Sequence, residues 1–236
     1  MARQVLQQDK RALMLTQTPG KLMMSLSLPA IVGMAVIGLY TFMDAVYAGQ
    51  LIGMEAMGAV AVAYPFTFIN SGGAPMIGMG SASVLSRAIG AKDPRTIDQV
   101  MGNLVVMNLV LSLAVTVVGV AFARPLLALT GAEGAMLDLG ECYLRIIFLG
   151  SLFVNFAQSS NMIMRGEGEL VKAMLIMASS AVLNIVLAPA FILALRGQGL
   201  GVEGAACATV LSQAALAALM AWWFPKRETV ARVHGV

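Results

Sequence analysis

Long stretches without a charged side chain alternate with short polar connections along almost the whole chain. Six such stretches follow one another, at 22–43, 56–86, 99–123, 146–164, 173–195 and 204–225. A helix needs about 20 apolar residues to cross the hydrocarbon core of a bilayer. The pattern therefore predicts an all-α membrane protein with six transmembrane helices. The fourth helix is predicted to begin before its charge-free run, so that Arg145 lies within the same helix.

The residues at the ends of these stretches agree with helix boundaries. In the string KDPRT, Asp93 is predicted to be the N-cap of the third helix and Pro94 its first residue. Asp favours the N-cap, and Pro favours the first helical position because it needs no N–H partner there. At the other end of the chain, Trp222 and Trp223 indicate a membrane–water interface at the close of the sixth helix.

The Lys and Arg residues are distributed unevenly between the two sides of the six predicted helices. Only Arg124, Arg145 and Arg196, of 15 basic residues, fall on one side. Because cytoplasmic loops are enriched in Lys and Arg, both termini are predicted to be cytoplasmic. The chain then divides into a cytoplasmic segment at 1–21, a six-helix bundle at 22–225 and a cytoplasmic tail at 226–236. The basic residues on the cytoplasmic side are Arg3, Lys10, Arg11, Lys21, Arg87, Lys92, Arg95, Arg165, Lys172, Lys226, Arg227 and Arg232.

Composition excludes several classes of protein. Only 11% of the residues are charged, against about 25% in soluble domains. The two cysteines, Cys142 and Cys207, do not make a disulfide framework, and no cleaved signal peptide is predicted. No GK[ST] phosphate loop is present, and the only histidine, His234, lies in the tail. Nucleotide binding, nucleic-acid binding and intramembrane Ser–His catalysis are therefore not expected.

Asp44 is a carboxylate that directly follows the first charge-free run. It lies 23 residues after Lys21, roughly 34 Å along a helix and so in the outer half of the membrane. Tyr40 and Tyr47 are predicted to share its helical face. Two interpretations remain open at this point. Either the first helix ends here and Asp44 contacts outer water, or the helix continues to about Ile52 and Asp44 faces a cavity, as carboxylates within membranes often do.

Uncharged polar residues also recur inside the predicted helices. Unpaired polar groups are unfavourable in lipid, so these side chains must face one another or water. They are Asn155, Gln158, Ser159, Ser160 and Asn161 in the fourth helix, Ser180 and Asn184 in the fifth, and Thr209, Ser212 and Gln213 in the sixth. Hydrogen bonding between helices and ligand contact both remain open. In the second helix, Ala74, Gly78 and Ala82 form a stripe of small residues that predicts close helix packing.

Four stretches together resemble the multidrug and toxic compound extrusion (MATE) family, in particular its bacterial members. They are LPAIVGMAVIGLYTFMDAVYAGQLIGMEAMGA, GMGSASVLSRAIGAKD, MRGEGE, and NIVLAPAFI with the following GVEGAACATVLSQ. The resemblance covers nearly the whole chain. It implies one six-helix lobe of a two-lobe secondary transporter in the bacterial cytoplasmic membrane. Such a protein is not an enzyme, has no cofactor, and exchanges cationic or amphipathic compounds for Na⁺ or H⁺.

The resemblance also implies a set of site residues. The family's cation-binding positions fall on Asp44, Asn161, Asn184 and Thr209, with a Na⁺ site at Asp44, Asn184 and Thr209. The substrate cavity is expected at Tyr40, Tyr47, Gln158 and Gln213. Ala188 stands where family members commonly have a second aspartate, so the choice between Na⁺ and H⁺ stays open.

The sequence ends shortly after the sixth predicted helix, and a second six-helix lobe is therefore the expected partner. Either a second copy of the chain or a separate half would supply it, within the lipid bilayer. Two other functions remain open: flipping of a lipid-linked substrate, and a non-transporting half-protein that needs a partner. Flipping is disfavoured because only Arg145 is available within a predicted helix to bind phosphate.

Overall fold

The computed structural model of the protein describes residues 18–91 and 93–226. All regular elements in these residues are helices: α1 Pro19–Tyr47, a π-helical turn Ala48–Ile52, α2 Met54–Ala91, α3 Pro94–Leu129, α4 Gly134–Leu149, α5 Ser151–Gly166, α6 Leu170–Arg196 and α7 Gly201–Lys226. Several residues used to predict orientation lie outside the described ranges, namely Arg3, Lys10, Arg11, Lys92, Arg227 and Arg232; so does His234.

Five of the six charge-free runs each lie within one helix, whereas the fourth is divided. That segment starts at Gly134, earlier than its charge-free run, as predicted, but it forms two helices that meet at Gly150. The N–H of Gly150 still donates to the carbonyl of Ile146 at 3.0 Å, so the chain bends there without a loop. A Cβ on Gly150 would lie 2.5 Å from Val210 of α7. Gly150 therefore permits α7 to approach closely at the bend.

Four helical segments of the described residues are long and apolar enough to cross a membrane. They are Ile31–Ile52, Pro94–Leu129, Leu170–Leu195 and Gly201–Trp222. The second and fourth predicted crossings differ from these four in length or composition. α4 and α5 have 16 residues each, and α2 contains many Gly, Ser and Pro residues. The predicted number of six crossings is therefore supported in part.

The bundle has an apolar exterior and several polar residues in its interior. Large apolar side chains such as Phe42, Ile69 and Val117 are more than half exposed. Buried positions include Asn108 and Ser112. This distribution suits a chain whose exterior faces lipid, because apolar surface is stable there while polar groups must find partners inside.

Close packing of α2 on α5 depends on the small-residue stripe that the sequence predicted. Ala74 and Gly78 are buried. The hydroxyl of Ser159 on α5 donates to the carbonyl of Ala74 at 2.9 Å. A Cβ on Gly78 would lie 2.9 Å from the Cα of Ser159. The prediction of close helix contact is therefore confirmed.

The helices form two groups that leave a space between them. α6 packs along α7 and α1 packs on α6, while α2 packs on α3, α4 and α5. α7 joins the groups through contacts with α4 and α5. α1 and α2 are consecutive but barely touch each other beyond the π-helical turn that connects them. Among the described residues, the space between the groups is therefore not closed by direct packing of α1 on α2.

The predicted N-cap of the third helix is confirmed. Asp93 accepts hydrogen bonds from the backbone N–H groups of Arg95 and Thr96 at 3.1 and 3.3 Å, and from the Thr96 hydroxyl at 2.6 Å. These bonds, that from the hydroxyl first, hold the pKa of Asp93 below its usual value. Since the folded pKa is lowered, the cap stabilises α3 above about pH 4 and weakens as the pH falls through the lowered pKa.

Replacing Asp93 by Ala is expected to fray the start of α3, because two backbone N–H groups lose their acceptor. Hydrogen exchange of the Arg95 and Thr96 amides is expected to accelerate at neutral pH, while amides at the centre of α3 are unchanged. Asp93→Asn is the control, since an Asn side chain also caps helices. Unchanged exchange in Asp93→Ala would contradict the role of this cap.

Candidate functional site

A cavity of about 370 Å³ occupies the space between the two groups of helices. Six helices contribute to it, namely α1, α2, α4, α5, α6 and α7. Its walls combine aromatic side chains (Tyr64, Phe68 and Tyr143) with one carboxylate and several amides and hydroxyls. This volume is within the range of small-molecule sites, which are also apolar with a few placed polar groups.

Asp44 lies in the wall of this cavity and is half-buried. Helical structure does not stop at Met43 but continues through the π-helical turn to Ile52. Gly53 then ends it with φ 147°, a conformation that other residues rarely adopt. Of the two interpretations of Asp44, the structure therefore agrees with the continuing helix and a carboxylate that faces a cavity.

A hydrogen-bonded cluster joins α6 to α7 beside the cavity. Asn184 donates from Nδ2 to the hydroxyls of Thr209 and Ser212, both at 3.3 Å. Ser180 donates to the carbonyl of Ser212 at 3.0 Å. The Oδ1 atom of Asn184 is buried and has no hydrogen-bond partner among the described residues. One amide oxygen in the cavity wall is thus available to accept a hydrogen bond or to bind a cation.

Tyr40 connects this cluster to Asp44. It lies one helical turn before Asp44 on α1, and its hydroxyl interacts with the side chains of both Asp44 and Thr209. Tyr143 on α4 lines the same cavity as Asp44. The structure therefore brings together three of the residues predicted as cation ligands, Asp44, Asn184 and Thr209, around a tyrosine predicted to line the cavity.

Asn161, the fourth predicted cation ligand, lies at the other end of the cavity. Its Nδ2 donates to the carbonyl of Ala173 at 2.8 Å, and its Oδ1 accepts from Arg165 Nε at 2.9 Å. Ala173 precedes Asn184 by 11 residues on α6, roughly 16 Å along the helix. The structure does not place Asn161 beside Asp44, and both ends of its amide are occupied.

The remaining predicted cavity residues differ in their positions. Gln158 and Gln213 line the cavity, as does Tyr40. Tyr47 is half-buried at the end of α1 and is not among the lining residues. The roles of all these side chains in binding stay predictions.

Sequence reasoning missed Asn70, at the centre of α2. It is 2% exposed and lines the cavity. An Asn within a charge-free run of a predicted membrane helix was the available signal, because such groups need a partner in lipid. The surrounding Gly, Ser and Pro residues instead indicated close helix packing at this part of α2.

The oxygens of the site are of the kind that bind Na⁺ or protons. Asp44 supplies a carboxylate, and Asn184 and Thr209 supply neutral oxygens on the neighbouring helices. Hard cations prefer such oxygen ligands. Within the described ranges, no three His, Cys, Asp or Glu side chains come together to hold a metal ion. A cation here would therefore depend on one negative charge.

Comparison with known proteins agrees with the fold. The sequence model of the MatE family matches residues 29–190. The multidrug export protein MepA of Staphylococcus aureus (strain MRSA252) is 30% identical over 214 residues, 91% of this chain and 47% of MepA. The solved structure of the MATE multidrug transporter DinF-BH is 36% identical, with a TM-score of 0.83 over 94% of this chain and 49% of that one. A MOP superfamily transporter from Pyrococcus furiosus, for which a reverse polarity of the binding pocket suggests a different function, is 33% identical, with a TM-score of 0.81 over 94% of this chain and 48% of that one.

The chain belongs to the MatE family, whose members are membrane transporters and not enzymes. It spans about half the length of the curated relatives it matches. The fold described above corresponds to about half of the solved DinF-BH structure.

Proposed function

We propose that this chain is one lobe of a cation-coupled antiporter that exports cationic or amphipathic compounds across the bacterial cytoplasmic membrane. The observation that carries this proposal is the position of Asp44 in the wall of a largely apolar cavity. A carboxylate in such a place attracts cations, while the aromatic walls accept apolar surface. The names of relatives such as MepA and DinF-BH support the same function.

Coupling follows if the inward cation and the exported compound compete for the same carboxylate. Asp44 is the only acidic residue among those lining the cavity in the described part of the chain. It neutralises one positive charge at a time, so bound Na⁺ or H⁺ lowers the affinity for a cationic compound. A bound cationic compound lowers the affinity for Na⁺ or H⁺ by the same factor. Asn184 and Thr209 supply neutral oxygens for Na⁺, whereas a proton needs only Asp44.

The topology in this proposal has six crossings and cytoplasmic termini. α4 and α5 together form the fourth crossing, bent at Gly150, and α2 forms the second. Arg124 lies on the opposite, outer side, where it forms ion pairs with Asp138 and Glu141 at 2.9 and 2.7 Å.

A second lobe is part of the proposal because the cavity is incompletely enclosed. In the described residues α1 and α2 barely touch, so direct packing of these two helices does not close the cavity. Polar groups facing lipid there would be unfavourable. A second copy of the chain, or another six-helix half, would cover this side and complete a path between the lobes.

Lipid-linked substrate flipping finds less support in the geometry. Phosphate recognition calls for Arg or Lys, and no Lys or Arg is among the described residues that line the cavity. Arg145 does not line it and is instead paired with Glu141 at 2.7 Å.

Transport in reconstituted liposomes tests the proposal. The chain, in the oligomeric form purified from bacterial membranes, is expected to move tetraphenylphosphonium against an imposed Na⁺ or proton gradient. Collapse of the gradient with an ionophore is expected to reduce the movement to that of protein-free liposomes. If tetraphenylphosphonium moves equally fast with and without either gradient, cation coupling is wrong. If it does not move at all in folded protein, export of cationic compounds by this assembly is wrong.

A further inference from the structure

Asn70 is a buried amide whose polar atoms have no partner in the part of the chain that the structure describes. Its side chain is 2% exposed, and neither Nδ2 nor Oδ1 has a hydrogen-bond partner among the described residues. The residue lines the cavity from the centre of α2. A buried amide without partners is unfavourable for folding, so its presence at this position calls for a group that enters the cavity.

The other buried asparagines of the described bundle each make at least one hydrogen bond, which sets Asn70 apart. Asn108 donates to the carbonyl of Leu104 at 3.0 Å and accepts from Ser159 at 2.8 Å. Asn161 uses both ends of its amide, as described above. The buried asparagines that join helices thus have hydrogen-bond partners on those helices. Asn70 has no such role in the described contacts.

Two backbone carbonyls of α2 on either side of Asn70 lack a helical partner. Pro65 and Pro75 lie inside the helix, and because proline has no N–H, the carbonyls of Ala61 and Ser71 lack their usual helical donors. Both of these residues line the cavity. α2 therefore carries two carbonyls near Asn70 that no N–H of the same helical ladder satisfies.

Aromatic rings line the cavity from another face of the same helix, since residues two or six positions apart on a helix do not share a face. Tyr64 and Phe68 line the cavity on α2 with ring centroids 6.5 Å apart. Asp44 lies on α1, which is in the other group of helices. A ligand in the cavity thus meets a carboxylate from one group of helices and, from different faces of α2 in the other group, aromatic rings and an amide.

We propose that Asn70 pairs with a carboxamide or lactam group of the transported compound, so that the cavity selects planar amphipathic cations carrying adjacent hydrogen-bond donor and acceptor atoms. This inference rests on the proposed function and narrows its substrate class. The amide of Asn70 provides one donor and one acceptor side by side, which matches a carboxamide in two parallel hydrogen bonds. Asp44 holds the positive charge, and the apolar walls of the cavity contact the ring.

Two probes of equal charge and similar size test this selectivity. One is the benzylpyridinium cation with a carboxamide on its pyridinium ring; the other has an ethyl group in the same place. Binding is measured by calorimetry on the full chain in lipid nanodiscs. The wild-type protein is expected to bind the carboxamide about tenfold more tightly, the size expected for two buried hydrogen bonds. Equal affinities in the wild-type protein would overturn the inference without any variant.

The Asn70→Leu variant is expected to bind both probes with equal affinity. Its thermal stability without ligand is expected to be unchanged or higher, since the substitution removes an unpaired amide of similar shape. Asn103→Leu is the matched control, because Asn103 is exposed on α3 and does not line the cavity. A tenfold preference that persists in Asn70→Leu would overturn the inference. So would a loss of stability, because it would show that the amide already has a partner in the ligand-free protein.

The Asp44→Asn variant separates this inference from the proposed function. The variant is expected to bind both probes more weakly than wild type, and by the same factor, because both probes carry the same charge. If both probes bind to Asp44→Asn as tightly as to wild type, the proposed function fails. If Asp44→Asn weakens both but Asn70→Leu leaves the preference intact, only the role of Asn70 is wrong.

Discussion

Replacing Asp44 by Asn is expected to abolish export of cationic compounds while the protein remains folded. Asn has nearly the same shape as Asp but cannot neutralise a cation or take up a proton. In a half-buried site the loss of one charge contact of about 1.4 kcal/mol already reduces binding tenfold. Loss of coupling removes the driving force as well. Efflux of tetraphenylphosphonium from cells is therefore expected to fall by at least about tenfold, to the rate of cells that lack the protein.

Asp138→Asn is the control for this experiment, because it makes the same chemical change outside the cavity. The Asp138 side chain is 66% exposed, and Arg124 keeps its second partner, Glu141, when Asp138 is changed. Efflux by this variant is expected to equal that of wild type. Normal efflux with normal ion dependence in Asp44→Asn, at equal expression, would remove Asp44 from the mechanism.

Replacing Gly78 by Val is expected to cause the largest loss of stability among single changes in α2. A Cβ at this position would lie 2.8 Å from the Cβ of Met162 and 2.9 and 3.0 Å from Cα and O of Ser159. Backbone atoms of α5 cannot move aside as the end of a flexible side chain does. Overpacking of this kind costs about 1–3 kcal/mol. The shift also disturbs the hydrogen bond from Ser159 to Ala74.

The thermal midpoint of the purified chain in nanodiscs measures this effect. Gly80→Val is the matched control, because Gly80 lies on the same helix and a Cβ there would meet nothing within 4 Å. Its midpoint is expected to stay at the wild-type value or rise slightly, since Val has a higher helix propensity than Gly. Equal midpoints for the two variants would show that α2 and α5 are not in close contact through Gly78.

Local features of the chain were predictable from the sequence. Apolar runs of about 20 residues form helices wherever they occur, because in lipid the backbone must satisfy its own hydrogen bonds. The cap at Asp93 depends on the next few residues, and the contact of Gly78 depends on one face of its helix. Both can therefore be predicted from the local sequence. Asp44 was recognised because a carboxylate near the end of an apolar run is unusual.

The assembly of the site depends on how helices distant in sequence pack together. Asp44, Asn184 and Thr209 meet because α1 packs on α6 and α6 on α7, whereas Asn161 is held by Arg165 and Ala173 at the other end. The close approach of α7 to the backbone at Gly150 likewise depends on tertiary packing. Spacing along the chain gives the face of a residue on its own helix. It does not give the angle or depth at which that helix meets its neighbours, which is set by packing across the whole bundle.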